Sequence, residues 1–167
     1  QFSVAFSPGL IIALVVNQSV QNSRRKGIEV GVGAAVGAIG ITLVSAIVVS
    51  LLVNTVPVMI NIIYFIGSIY IIFKGYQTIT SDTDTQNELA NNSAFLSGFQ
   101  VNLLNPKMWV FYLTVLPIYM SDETSYFMSL IYLGLITLAI NFIADITYAF
   151  TSDYFFRNSS DKTKNLI

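Results

Sequence analysis

The chain has 167 residues, of which 54% are hydrophobic and only 10% charged, against about 25% charged in an ordinary soluble domain. With a mean hydropathy of +0.67, it has too little charge to cover a water-soluble globule of this size. Eight basic and nine acidic residues leave a net charge of −1, and no broad basic face points to nucleic acid. Cysteine and histidine are both absent. That removes disulfide frameworks, thiolate metal sites and imidazole catalysis, and no residue pattern implies a cofactor or a resident metal.

The placement of the charges predicts the elements. Residues 1–23, 30–73 and 124–144 carry none. A helix needs about 20 mostly apolar residues to cross the hydrocarbon core, so the run from 30 to 73 is long enough for two spans. Asn54, Thr55 and Pro57 mark the turn between them. Five spans are predicted in chain order: Phe2–Val20, Ile28–Val53, Val56–Thr78, Phe95–Tyr119 and Tyr126–Thr151. Strands of a membrane barrel would alternate apolar and polar residues, and Ile39–Val49 does not. In lipid each segment must satisfy its own backbone, which favours helix over the strand preference of the many β-branched residues. The expected fold is an all-α polytopic membrane bundle.

Orientation follows from the basic residues. Arg24, Arg25 and Lys26 lie between the first two spans, Lys74 near the end of the third, and Arg157, Lys162 and Lys164 after the fifth. Five spans put all three places on one side, assigned to the cytoplasm, with the N-terminus outside. The polar stretch 80–94 becomes a cytoplasmic loop between two repeats at 1–79 and 95–167. The chain opens with Gln1 inside an apolar run and closes at Asn165-Leu166-Ile167 as another begins, so part of the first helix and all of a sixth are expected to be missing.

The halves repeat. Aligning Ser7-Pro8-Gly9 with Asn105-Pro106-Lys107 sets Arg24-Arg25 on Asp122-Glu123 and the second span on the fifth. Each half reads as a span interrupted by proline, a charged turn, then an apolar span. The halves start on opposite sides, which makes a 3+3 inverted repeat with five of six spans present. Proline removes a backbone donor and clashes with the preceding turn, although a lone proline is also a simple helix kink. Paired interruptions at matching places in inverted halves point to a transporter binding site.

Freed amides at the start of a half-helix favour an anion. The donors expected are those of Gly9, Leu10 and Ile11 in the first span and those near Lys107 and Met108 in the fourth. An amino-acid carboxylate suits either, making Pro8, Gly9, Asn105, Pro106 and Lys107 the candidate substrate contacts. Lys107 lies about 18 Å into its span at 1.5 Å per residue, where a lysine costs about 2.5–3.5 kcal/mol on insertion scales. It is expected to face a cavity, the alternative being snorkelling to an interface. Asp145 is the only acidic residue deep inside an apolar span. Asp145 and Lys107 are the candidates for proton coupling, a structural counter-charge being the other reading of Asp145. Gly33 and Gly37, with Gly27 and Gly31, have the small-xxx-small spacing of close helix packing, which also permits a homodimer.

The same residues carry a family likeness. Phe6-Ser7-Pro8-Gly9, Arg24-Arg25-Lys26-Gly27 and the span with Gly33 and Gly37 resemble the opening half of the lysine-exporter (LysE-type) translocators. The string Gly98-Phe99-Gln100-Val101-Asn102-Leu103-Leu104-Asn105-Pro106-Lys107, closed by Leu116-Pro117, resembles that family's second-half motif, and Tyr70, Gly75 and Tyr76 resemble the end of its third helix. The resemblance implies a six-helix inner-membrane exporter of amino acids or related small metabolites, driven by the proton gradient and not an enzyme. Its partners would be the lipid bilayer and the small-molecule substrate. Two departures stand out. Leu10 and Ile11 replace a second proline and a following asparagine, and Ala38 replaces an acidic residue of the second helix. The other readings are an uncoupled channel or scaffold and a metal-ion exporter of the same superfamily. The lack of His and Cys counts against soft transition metals.

Overall fold

The computed structural model describes Phe6, residues 9–55, 93–120 and 125–152, and Tyr154. Within the third predicted span it describes Val58, Asn61, Ile62, Phe65, Ile66, Ile69, Ile72 and Phe73, all helical and exposed. The remainder of that span, residues 80–92 of the expected loop at 80–94, Lys74, Asp122, Glu123 and the basic C-terminal residues lie outside the described residues, while Ser93 and Ala94 of that loop open a helix.

Every described element is helical: α1 (Leu10–Gln21), α2 (Arg24–Thr55), α3 (Ala94–Leu103), α4 (Pro106–Val110), a π-helical turn (Phe111–Val115), a 3-10 turn (Leu116–Tyr119) and α5 (Tyr126–Ser152). Among them α2 and α5 are long and apolar enough to cross a membrane. At 1.5 Å per residue they extend about 48 and 40 Å, more than the roughly 30 Å of hydrocarbon. The excess explains one difference from the sequence reading. Arg24, Arg25 and Lys26 are not in a connecting loop; they form the first turn of α2. Apolar content marks where the hydrocarbon is, whereas hydrogen bonding decides where the helix ends. The chain turns at Asn22 and Ser23, and the Ser23 carbonyl accepts from the Lys26 and Gly27 amides at 2.9 and 3.2 Å. Three cations at a helix N-terminus oppose the dipole. Glu29 relieves this by pairing with Lys26 at 2.7 Å and with Arg25 at 3.4 Å.

The chain divides into two compact units. The first holds α1, α2 as far as Gly37, α3, and α5 from Thr137. The second holds α2 from Ala38, α4 with the two turns after it, and α5 as far as Ile136.

The first unit is held by glycine. Lipid tails are as apolar as leucine, so helices in a bilayer associate through close packing and interhelical hydrogen bonds. A Cβ on Gly33 would run into the Phe95 carbonyl oxygen of α3, and one on Gly98 into the Val30 carbonyl oxygen of α2. A Cβ on Gly37 would stand 3.1 Å from the Phe99 carbonyl oxygen, one on Gly31 3.1 Å from the Asp145 Cβ of α5, and one on Gly27 would meet the Ser19 hydroxyl of α1. α2 thus meets three helices, α1 and α5 along the edge with Gly27 and Gly31 and α3 along a second edge with Gly33 and Gly37. Asn102 of α3 locks the contact by donating from Nδ2 to the Ala34 carbonyl at 2.6 Å. Val15, Val30, Ala94 and Ala149 form the apolar core beside it.

The large apolar residues of α2 turn the other way. Val32, Val36, Ile39, Leu43, Ile47 and Leu51 are all exposed, three or four residues apart along one stripe. α5 shows the same pattern at Met128, Tyr132, Leu135 and Ile143. Small residues inside and large apolar residues outside suit an apolar solvent. Three threonines in the helices bond to their own backbone: Thr42, Thr114 and Thr147 donate to the carbonyls of Ala38, Val110 and Ile143.

Gly33→Ala should therefore cost about 1–3 kcal/mol by overpacking and lower the thermal midpoint in detergent. Val36→Leu, on the exposed stripe, should leave the midpoint where it is. Equal midpoints for Gly33→Ala and the parent would contradict the α2–α3 approach.

Candidate functional site

The fourth predicted span is broken. α3 ends at Leu103, and the Leu104 amide donates back to the Gln100 carbonyl at 2.9 Å. Asn105 then takes an extended conformation (φ −75°, ψ 107°) and caps α4, whose first residue is Pro106. Proline is well placed there, because the first amide of a helix has no intrahelical partner anyway. The Asn105 side chain is buried. Its Oδ1 accepts from the Lys107 amide at 3.0 Å, and its carbonyl accepts from the Met108 amide at 3.0 Å.

That geometry corrects one expectation. The proline interruption predicts free amides near Lys107 and Met108; Asn105 occupies both. The positive group on offer at this break is the Lys107 ammonium. Its side chain is exposed, and no ion pair involves it among the described residues. Beyond α4 the helix widens to a π turn at Phe111–Val115 and tightens to a 3-10 turn at Leu116–Tyr119. π turns in helices often accompany functional sites. Tyr112 in this stretch is 1% exposed, meets Phe111 edge-on at 6.0 Å, and its hydroxyl makes no hydrogen bond of good geometry.

The start of α1 is built differently. Gly9 is the N-cap of α1, fully extended (φ −154°, ψ 179°), and has no side chain to cap with. Its carbonyl accepts from the Ala13 amide at 2.9 Å, so the amides of Leu10, Ile11 and Ile12 begin the helix without intrahelical partners. Pro8 lies outside the described residues. The chain entering α1 is held by Tyr148, whose hydroxyl donates to the Phe6 carbonyl at 3.0 Å.

Asp145 is 7% exposed on the buried face of α5, against Gly31. No hydrogen bond or ion pair involves its carboxyl among the described residues. Ser19 faces α2 one turn away, at Gly27; it is fully buried and its hydroxyl has no partner among the described residues. Nothing in the sequence marks Ser19, because a lone serine looks the same as those that bond back to their own helix. Gly9, Gly33, Gly37 and Asp145 fall in the first unit; Asn105, Pro106 and Lys107 fall in the second.

Asn105→Ala should remove the α4 cap and cost about 1 kcal/mol, read as a lower thermal midpoint. Asn105→Asp keeps the acceptor and should retain most of the stability. A midpoint insensitive to both changes would mean the cap does not hold the break.

No curated protein and no solved structure shows significant similarity to the chain. The family model of LysE type translocators matches residues 2–167. With nearly its whole length matched, and with long helices that turn large apolar side chains outward, the chain belongs to the LysE type translocator family, whose members are membrane transporters.

Proposed function

We propose that the protein exports amino acids or related small metabolites across the cytoplasmic membrane by secondary, proton-coupled transport. One observation carries this reading: Asp145 is a buried carboxyl group inside a membrane span with neither an ion pair nor a hydrogen bond among the described residues. Ionisable groups within spans are expensive, and they mark substrate or proton pathways. A buried polar group without a partner costs about 1–3 kcal/mol. A purely structural carboxyl would be expected to have a partner. The unpartnered Ser19 hydroxyl, one α2 turn from Asp145, gives a transported proton or a substrate ammonium a second polar group.

The substrate carboxylate has two candidate contacts. One is the Lys107 ammonium beside the break that Asn105 and Pro106 create. The other is the set of open amides at the start of α1, after Pro8 and Gly9. Gly33 and Gly37 hold helices together and do not touch substrate. In this reading the two breaks are equivalent positions of an inverted repeat, with the N-terminus outside and the Arg24-Arg25-Lys26 turn in the cytoplasm. An uncoupled channel is the alternative, and the coupling test separates the two.

Asp145→Asn keeps shape and removes the proton site. In proteoliposomes supplied with labelled amino acids, the parent should show flux that rises with an imposed pH gradient. The variant should lose that dependence and fall to the level of empty liposomes. Flux unchanged by the substitution would rule out the role given to Asp145. Parent flux indifferent to the gradient would favour the channel.

A further inference from the structure

The turn between α1 and α2 opens into a groove of about 680 Å³ within the first unit. Its polar end is formed by Arg24 and Arg25, and its apolar walls by Ile28, Val32, Phe95 and Phe150. The Arg24 guanidinium lies over the Phe150 ring, 4.6 Å from its centroid. Glu29 also lines the groove, but it is engaged by Arg25 and Lys26. Arg24 has no carboxylate partner among the described residues. Stacking on an aromatic face orients a guanidinium and leaves its N–H fork available to an oxyanion.

The apolar walls belong to the lipid-facing surface. Val32 is the first member of the exposed stripe that continues through Val36 and Ile39, and Phe95 and Phe150 are exposed beside it. Arg24 and Val32 are about 12 Å apart along the helix axis. The headgroup layer on each side of the hydrocarbon is about 5–8 Å deep. When Val32 meets acyl chains, the two arginines therefore stand at phosphate level.

We propose that this groove binds one anionic phospholipid of the adjacent leaflet. Its phosphate and headgroup lie on Arg24 and Arg25, and one acyl chain runs along Ile28, Val32, Phe95 and Phe150. A soluble phosphate would use only the arginine end and leave the apolar walls uncovered; a lipid matches both. The assignment depends neither on which way the chain is oriented nor on the transport reading.

The test is native mass spectrometry of the purified chain in neutral detergent, titrated with phosphatidylglycerol, phosphatidylcholine or glycerol 3-phosphate. Phosphatidylglycerol should bind at least fivefold more tightly than phosphatidylcholine, and millimolar glycerol 3-phosphate should not displace it. Arg24→Gln and Arg25→Gln, both at exposed positions, should each weaken binding about fivefold, the contribution of one arginine near an anionic surface. Lys26→Gln removes the same charge from the same turn but lies outside the groove, and should change binding less than twofold. Equal loss in Lys26→Gln and Arg24→Gln would overturn the proposal in favour of diffuse charge attraction. So would equal affinity for the two lipids. Displacement by glycerol 3-phosphate would overturn it in favour of a soluble anion.

Discussion

The first unit depends on the approach of two backbones. Gly33 of α2 lies against the Phe95 carbonyl of α3, and Gly98 of α3 lies against the Val30 carbonyl of α2. Each helix supplies the glycine that admits the other. In a bilayer this matters more than in water, because burying leucine against leucine gains little over leaving it in lipid. The approach also brings Asn102 within 2.6 Å of the Ala34 carbonyl, a bond that a wider crossing would lose. The other glycines of α2 extend the arrangement. Gly27 admits Ser19 from α1, and Gly31 admits Asp145 from α5. The residue read as the coupling carboxyl thus packs on Gly31, along a second small-residue edge of α2 from the one that meets α3.

Immediately after this packed segment, α3 stops. Three links make the stop a defined structure: Leu104 closes the last turn of α3, the Asn105 side chain caps α4, and Pro106 supplies the first residue of α4. Backbone groups at membrane depth must be satisfied within the protein, and Asn105 satisfies two of them itself. The consequence is electrostatic. With those amides occupied, the positive group left at this break is the Lys107 ammonium rather than the helix terminus. At the start of α1 the reverse holds: Gly9 brings no side chain to the cap, and no other side chain caps those amides among the described residues.

Two of the spans were legible because lipid imposes a simple length and charge rule. Uncharged runs located α2 and α5 to within a few residues. The break at Asn105-Pro106 was also legible, since proline cannot continue a helix without cost and asparagine is a strong N-cap. Other features were not. The sequence shows that Gly33 and Gly37 share a face with small-residue spacing, but not that Gly98 answers them from α3, since one glycine between Ser97 and Phe99 has no period to read. Occupation of the Lys107 and Met108 amides depends on the rotamer and backbone angles of Asn105. The basic triplet at 24–26 was read for orientation alone; its stacking on Phe150 joins residues far apart in the chain.

The absence of cysteine makes the central claim open to direct measurement, because any introduced thiol reports on one position alone. The claim is that the break at Asn105-Pro106 presents Lys107 to an aqueous path through the membrane. Lys107→Cys, in sealed vesicles, should react with a charged, membrane-impermeant thiosulfonate reagent and be protected by added amino acids. Ile47→Cys, on the exposed apolar stripe of α2, should stay unreactive. A thiol at 107 as inert as the one at 47 would place that side chain in lipid and contradict the account.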